Sequence, residues 1–107
     1  MIGTAGLAQA ITCASTRFCA WTGNDFTGTK VSWEFSDNSW SSPIRNNDDS
    51  AYNNGTSGLV VRSYTEDGYN GTVIVCLPRG WAVDYVTPDD NGESHRWEST
   101  ACSNPGP

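Results

Sequence analysis

The sequence predicts an all-β fold, a sandwich of two Greek-key motifs, and two observations support this prediction. One short pattern occurs twice, at 21–28 and 64–71: an aromatic residue, four mostly polar or turn-forming residues, a second aromatic residue, one residue and a glycine. Between and after the copies, apolar residues alternate with polar ones at a period of two, which is typical of half-buried strands. We therefore interpret the 107-residue chain as one domain built by internal duplication.

Each copy of the pattern predicts a strand that folds sharply back over its own hairpin. The glycines, Gly28 and Gly71, suit a backbone conformation that side chains forbid. The paired aromatic residues would form a cap packed over the bend. These pairs are Trp21 with Phe26 in the first copy and Tyr64 with Tyr69 in the second.

Three further runs predict strands, because large apolar side chains alternate with smaller or polar ones at 31–35, 73–76 and 81–85. Clusters of Gly, Asn, Asp and Pro separate the runs. The longest cluster, 46–58, predicts a surface linker between the repeats.

The repeats differ in apparent length. Trp21 lies 16 positions before Asp37, whereas Tyr64 lies 25 positions before Asp89, so the second repeat would carry nine extra residues. We expect the first repeat to have a shortened third strand. The predicted bounds are about 17–47 for repeat one and about 58–98 for repeat two, within a domain that covers 11–107.

Composition limits the partners. The formal net charge is −6 and the isoelectric point is about 4.4, with only six Lys and Arg residues. Nucleic acids and anionic membranes need a clustered basic surface, so neither is an expected partner. A cation or a basic protein face is a more natural partner. No apolar run approaches the length of a membrane span. We expect a monomer.

The cysteine count predicts an oxidising compartment. Four cysteines allow three pairings, of which we favour Cys13 with Cys19 and Cys76 with Cys102. Zinc is a weaker reading of these residues, because there is no Cys-x-x-Cys pair and only one histidine. Residues 1–10 end in an Ala-x-Ala pattern, which predicts the remnant of a signal peptide or a flexible arm, and hence a secreted protein.

Two later clusters, 37–42 and 89–94, place carboxylate, amide and hydroxyl oxygens in tight turns, which is what calcium needs. The alternative is that both clusters are hydrogen-bonded turns without metal. The candidate ligands are Asp37, Asn38, Ser39, Ser41, Asp89, Asp90, Asn91 and Glu93.

The hairpin and loop patterns together resemble the βγ-crystallin superfamily, whose calcium loops read Asn/Asp-Asn/Asp-x-x-Ser/Thr-Ser. The resemblance covers most of 17–98. It implies Ser41 as a side-chain ligand, the Ser39 carbonyl as a backbone ligand, and a hairpin carbonyl near Asn24 or Asp67. The second loop departs from the pattern, because Glu93 stands where Ser or Thr is expected.

Within that superfamily, the segments 41–47 and 94–97 and the flanking cysteines resemble the secreted actinobacterial metalloproteinase inhibitors. This resemblance implies a secreted metalloprotease as partner. For the inhibitory contact we expect Cys76 and Leu77, since a bridged cysteine followed by a bulky apolar residue would mimic a substrate. Pro78 restricts how a protease could bind the chain there.

We expect no enzymatic activity. Ser94 and His95 are neighbours, and neighbours on a strand point to opposite faces, so they cannot form a nucleophile and base. Two other functions remain open: a calcium-stabilised structural or binding module without a protease target, and a cell-surface toxin or wall-binding protein on the same fold.

Overall fold

The computed structural model describes residues 11–86 and 90–107, and they form two antiparallel β-sheets that pack face to face. The strands are β1 (Arg17–Trp21), β2 (Lys30–Trp33), β3 (Ser50–Asn54), β4 (Val60–Glu66), β5 (Asn70–Leu77), β6 (Ala82–Val83) and β7 (Ser94–Glu98). A single 3₁₀ turn, Asn24–Phe26, follows β1. The predicted all-β class is confirmed.

The two sheets exchange segments between the repeats. The first sheet has the order β2-β1-β3-β6, so β6 of the second repeat pairs with β3 of the first. The second sheet has the order β5-β4-β7, and Asp37 of the first repeat bridges His95 on β7. The third strand of the first repeat is thus a single bridge at Asp37, shorter than the two-residue β6 of the second repeat.

The predicted linker at 46–58 is wrong, because β3 lies inside it. All five residues of β3 pair with β1, from Arg17 opposite Asn54 to Trp21 opposite Ser50. Its sequence, Ser-Ala-Tyr-Asn-Asn, has little intrinsic strand preference, and burial against neighbouring strands decides its conformation. The strand places the end of the first repeat at Asn54 rather than near 47.

The core lies between the sheets and draws on both of them. Val61 and Leu77 come from the second sheet, and Phe18 and Val83 come from the first. Trp40 and Ile44, from the connection between β2 and β3, fill the space between the layers and are almost fully buried. Full burial of each such side chain contributes about 1.5–3 kcal/mol relative to exposure.

Both predicted disulfides are confirmed. Cys13 bonds Cys19 across six positions of the chain, and Cys76 bonds Cys102 across 26. The second bond ties the C-terminal segment to β5, where Gly106 also forms a bridge with Cys76. The predicted signal remnant at 1–10 lies outside the described residues. Among the described residues, no helix is long and apolar enough to cross a membrane.

Candidate functional site

The two hairpins have the predicted aromatic caps. The ring centroids of Trp21 and Phe26 lie 5.2 Å apart, and those of Tyr64 and Tyr69 lie 6.0 Å apart, both edge to face. Gly71 has a φ of +78°, and a β-carbon there would lie 2.2 Å from the hydroxyl oxygen of Thr65. Gly28 meets the same restriction in the first hairpin. Each hairpin therefore requires its glycine.

A buried serine on the last strand of each repeat holds the hairpin of that repeat. The Ser50 hydroxyl accepts a hydrogen bond from the Phe26 amide (3.0 Å) and donates to the Gly23 carbonyl (2.7 Å). The Ser94 hydroxyl accepts from the Tyr69 amide (3.2 Å) and donates to the Glu66 carbonyl (2.7 Å). The two serines are therefore structural equivalents.

Further hydrogen bonds follow the same correspondence. The amides of Asp49 and Glu93 each donate at 2.9 Å to the first aromatic residue of their own hairpin, Trp21 or Tyr64. Their carbonyls each accept at 2.7 Å from the other repeat, Asp49 from Val86 and Glu93 from Trp40. Asp49 and Glu93 are thus equivalent too.

This correspondence corrects the position of the first loop. Ser50 follows Phe26 by 24 positions and Ser94 follows Tyr69 by 25, so the repeats are nearly equal in length. The counterpart of 89–94 is 45–50, Arg-Asn-Asn-Asp-Asp-Ser, and not 37–42. The nearly equal spacing is visible in the sequence and is the signal that could have placed the loop.

The segment 37–42, where the first calcium loop was predicted, forms turns and bridges. One Asp37 carboxylate oxygen accepts from the Trp33 indole at 3.1 Å and the other accepts from the Ser39 amide at 3.0 Å. The Asn38 carbonyl accepts from the Gly68 amide at 2.8 Å, and Ser41 is exposed. These hydrogen bonds occupy the Asp37 carboxylate and the Asn38 carbonyl.

The predicted second loop is described only in part, because Asp89 lies outside the described residues. Asp90 and Asn91 are exposed, and the Asp90 amide donates to the Asp48 carbonyl at 3.0 Å. Within 11–86 and 90–107, no three carboxylate, imidazole or thiol side chains converge in a way that could hold a metal ion.

Glu93, the remaining candidate, belongs to a cluster centred on the Arg45 guanidinium. Arg45 donates to both carboxylate oxygens of Asp67, at 2.7 and 3.0 Å, and to Glu93 Oε1 at 3.0 Å. It also donates to the Trp40 carbonyl at 3.1 Å and lies 3.4 Å from the Ser39 hydroxyl. The hydrogen bond from Arg45 lowers the pKa of the Asp67 carboxyl, and the same bond raises the pKa of Arg45.

Calcium does not fit this cluster. Ser39, Asp67 and Glu93, all predicted to contribute or to lie near a metal site, do converge, but they converge on a guanidinium that is always protonated. A divalent ion among the same oxygens would be repelled by the positive charge already there.

The two residues considered for catalysis both have structural roles. Ser94 is fully buried and its hydroxyl holds the second hairpin. His95 is also fully buried, and burial lowers the pKa of its imidazole to about 4. Its ring nitrogens contact the Trp40 indole and the Phe35 carbonyl, so neither is available to a substrate.

The predicted inhibitory contact is incompatible with the structure. Leu77 is fully buried at the end of β5, opposite Val61, and Cys76 is 6% exposed. A protease could reach Leu77 only after the core had opened. The bridged cysteine and the bulky residue after it belong to a core strand.

A different exposed feature, missed in the sequence, is the ring closed by Cys13 and Cys19. Residues 14–16 of this ring are exposed, while both of its ends are held: the Thr16 amide donates to the Asn54 carbonyl at 3.0 Å, and the Asn54 side chain donates to the Cys13 carbonyl at 2.7 Å. The short spacing of the two cysteines was the available signal, although the sequence alone indicated only a stabilising disulfide and not an exposed ring.

An apolar groove lies beside the ring, with a volume of about 470 Å³. Its large exposed hydrophobic side chain is Phe35, at 76% of its full accessibility. Thr16 joins the groove to the ring. The lining residues are Thr16, Glu34, Phe35, Ser36, Thr56, Ser57, Leu59 and Trp97.

Comparison with known proteins agrees with this geometry. The model of peptidase inhibitor family I36 matches residues 7–76. A structure from work on the evolution of the eye-lens βγ-crystallin domain fold is 15% identical, with a TM-score of 0.71, and the match covers 83% of this chain and 91% of that one. The βγ-crystallin-like fold is thereby confirmed.

Two further structures have the same fold. The N-terminal domain of protein S is 18% identical, with a TM-score of 0.61 and coverage of 80% of this chain and 99% of that one. A βγ-crystallin domain from Clostridium beijerinckii is 18% identical, with a TM-score of 0.55 and coverage of 78% and 99%. A search of curated proteins finds no significant match.

Proposed function

This chain belongs to peptidase inhibitor family I36, and on that premise we propose that it is a secreted inhibitor of an extracellular metalloprotease. The contact surface in this proposal is the Cys13–Cys19 ring together with the groove that contains Phe35. Membership of an inhibitor family also agrees with the expectation that the chain is not an enzyme.

The observation that carries the proposal is an exposed ring whose two ends are fixed. A segment that is rigid before binding loses little conformational entropy when it enters a protease cleft. The disulfide and the two hydrogen bonds from and to Asn54 supply that rigidity. An unconstrained loop of the same sequence would lose the entropy of ordering at each residue on binding.

The ring also explains how an inhibitor can outlast cleavage. If a protease cuts a peptide bond between Cys13 and Cys19, the disulfide still joins the two new ends. The downstream end continues directly into β1, which pairs with both β2 and β3. Neither product end can leave, so the cut bond stays in the cleft.

Phe35 supplies an apolar anchor next to the ring. Phe35 is 76% exposed and lies in an apolar groove, and aromatic side chains are enriched among interface hot spots. Thermolysin-like enzymes favour a bulky apolar side chain, which directs the proposal to metalloproteases of that kind. Secretion is supported by the two disulfides, which persist in oxidising compartments.

A protease panel tests this function. Purified protein is titrated against thermolysin-like metalloproteases, with trypsin and subtilisin as enzymes of another class. We expect inhibition of at least one metalloprotease and none of the serine proteases. Inhibition of the serine proteases alone would contradict the metalloprotease target, and no inhibition of any protease would favour a structural or binding module.

Matched variants test the surface. Phe35→Asp should weaken inhibition at least about 30-fold, the loss typical of a hot-spot residue. Tyr85→Asp is the control, because Tyr85 is 52% exposed but does not line the groove. Its inhibition constant should change less than about threefold, as expected outside a hot spot. Equal inhibition by both variants and the parent would place the contact elsewhere on the domain.

A further inference from the structure

The Arg45 cluster has the ligand chemistry of a calcium site with an arginine in place of the ion. Five oxygen atoms lie within 3.4 Å of the guanidinium nitrogens: three carboxylate oxygens from Asp67 and Glu93, the Trp40 carbonyl and the Ser39 hydroxyl. Carboxylates, backbone carbonyls and hydroxyls are the hard oxygens that calcium binds. Here a guanidinium, with its fork of five N–H donors, uses the same acceptors.

The cluster joins three segments that are distant in sequence. Asp67 comes from the second hairpin, Glu93 from the loop before β7, and Arg45 from the loop before β3. Arg45 lies 22 positions from Asp67 and 48 from Glu93. The Asn46 amide adds a hydrogen bond of 3.1 Å to the second Glu93 oxygen. A cation at this point therefore locks the two repeats together.

The equivalent half of the domain has a different sequence. By the correspondence of the two repeats, Asn24 takes the place of Asp67 and Asp49 takes the place of Glu93. The sequence position equivalent to Arg45 is Asp89, which lies outside the described residues. An arginine at this position is thus a feature of one half only.

We propose that Arg45 takes the place of a divalent cation. The guanidinium stabilises the contact between the two repeats without calcium, and the same oxygens become a calcium site when the arginine is removed. The charge balance supports the exchange. Asp67 and Glu93 together carry two negative charges, which Arg45 compensates in part and one calcium ion would compensate in full. The bidentate bond to Asp67 is the strongest geometry that an arginine can offer a carboxylate.

The test is the Arg45→Asn variant, studied by thermal unfolding and by calorimetric titration with calcium chloride. In chelator we expect a lower melting temperature than wild type, because two carboxylates lose their partner. Millimolar calcium should restore it, since an ion that binds only the folded state stabilises that state. The variant should bind one more calcium ion per chain than wild type, with a dissociation constant on the order of 10⁻⁴ to 10⁻³ M.

Three controls make the result specific. Arg45→Lys keeps the positive charge and should gain no ion. Glu93→Gln in the Arg45→Asn background should lose the added ion. Magnesium in place of calcium should restore little, because it requires a smaller and more regular octahedral site.

The proposal is overturned if Arg45→Asn binds the same number of ions as wild type. It is also overturned if Glu93→Gln alone removes a calcium ion from the wild-type protein, since the ion would then already share the site with Arg45. If Arg45→Asn is unfolded in chelator, circular dichroism with added calcium decides: recovery of the fold supports the proposal, and a chain that stays unfolded refutes it.

Discussion

The indole Nε1 of Trp40 donates a hydrogen bond of 2.9 Å to Nδ1 of His95 inside the core. Because an indole N–H can only donate, Nδ1 carries no proton, and Nε2 is the nitrogen that donates to the Phe35 carbonyl at 3.0 Å. Phe18 and Trp33 enclose the imidazole, with ring centroids at 4.9 and 4.6 Å. The fold thus requires a neutral histidine.

Acidification should therefore destabilise the domain through His95. Its pKa is lowered to about 4 by burial in the folded state, against 6.5 for the free side chain, so the unfolded chain takes up the proton first. Stability from this group is complete above pH 6.5 and is lost as the pH falls towards 4, by about 3 kcal/mol. Denaturant unfolding at a series of pH values measures the slope, and a flat profile between pH 7 and 4 in the Asp48→Asn variant described next would contradict it.

The titration of Asp48 changes the folding stability in the opposite direction to that of His95 over part of the same pH range. Burial raises the pKa of its carboxyl to about 6, although its Oδ1 accepts a hydrogen bond from the Gly92 amide at 2.8 Å. A raised acid pKa gives stability that is present below about pH 4 and lost as the pH rises through 6. Asp48→Asn should thus make the acid loss steeper, which the same unfolding series measures, and an unchanged slope would argue against a titrating Asp48.

Alanine substitutions at two glycines distinguish the cost of backbone strain from the cost of steric crowding. Gly58 and Gly71 both have positive φ, but a β-carbon at Gly58 meets nothing within 4 Å, whereas one at Gly71 would lie 2.2 Å from the Thr65 hydroxyl oxygen. That oxygen also accepts from the Thr72 amide at 2.9 Å. Gly58→Ala should cost about 1 kcal/mol of stability and Gly71→Ala about 3 kcal/mol. Equal melting temperatures of the two variants would contradict the crowding argument.

The two disulfides should have separable effects. In the chain-entropy description, the six-position ring contributes about 2 kcal/mol and the 26-position loop about 3 to 4 kcal/mol. Replacing Cys76 and Cys102 by serine should therefore lower the melting temperature more than replacing Cys13 and Cys19. Only the replacement of Cys13 and Cys19 should weaken protease inhibition, as measured at a temperature where both variants are folded. The opposite pattern would contradict the proposed contact surface.

The hairpins could be predicted from sequence because their causes are local. A glycine at positive φ and two aromatic residues five positions apart determine the bend without help from the rest of the chain. Both disulfide pairings were predictable for a related reason, since the short spacing of Cys13 and Cys19 leaves the other two cysteines for each other.

The six-residue pattern alone does not locate the first loop, because 37–42 matches the pattern while the repeat length places the loop at 45–50. Ser41 and Ser42 satisfy the pattern, but the serine that holds the first hairpin is Ser50. Neither β3 nor the Arg45 cluster can be recognised from the sequence around it. Strand β3 depends on pairing with β1, and Arg45 acquires its role only when Asp67 and Glu93 are brought to it by the fold.

The C-terminal segment determines what the outer side of β5 can do. That strand is the last in its sheet, and Gly106 covers part of its free side with two backbone hydrogen bonds to Cys76, at 3.0 and 2.9 Å. The Arg62 guanidinium fixes the chain just before this segment by donating hydrogen bonds to the carbonyls of Thr100 and Ala101, both at 3.0 Å. An uncovered edge strand invites strand addition by another chain and aggregation. Because the Cys76–Cys102 bond ties this cover to β5, reduction of the bond should expose the strand edge and favour association between chains.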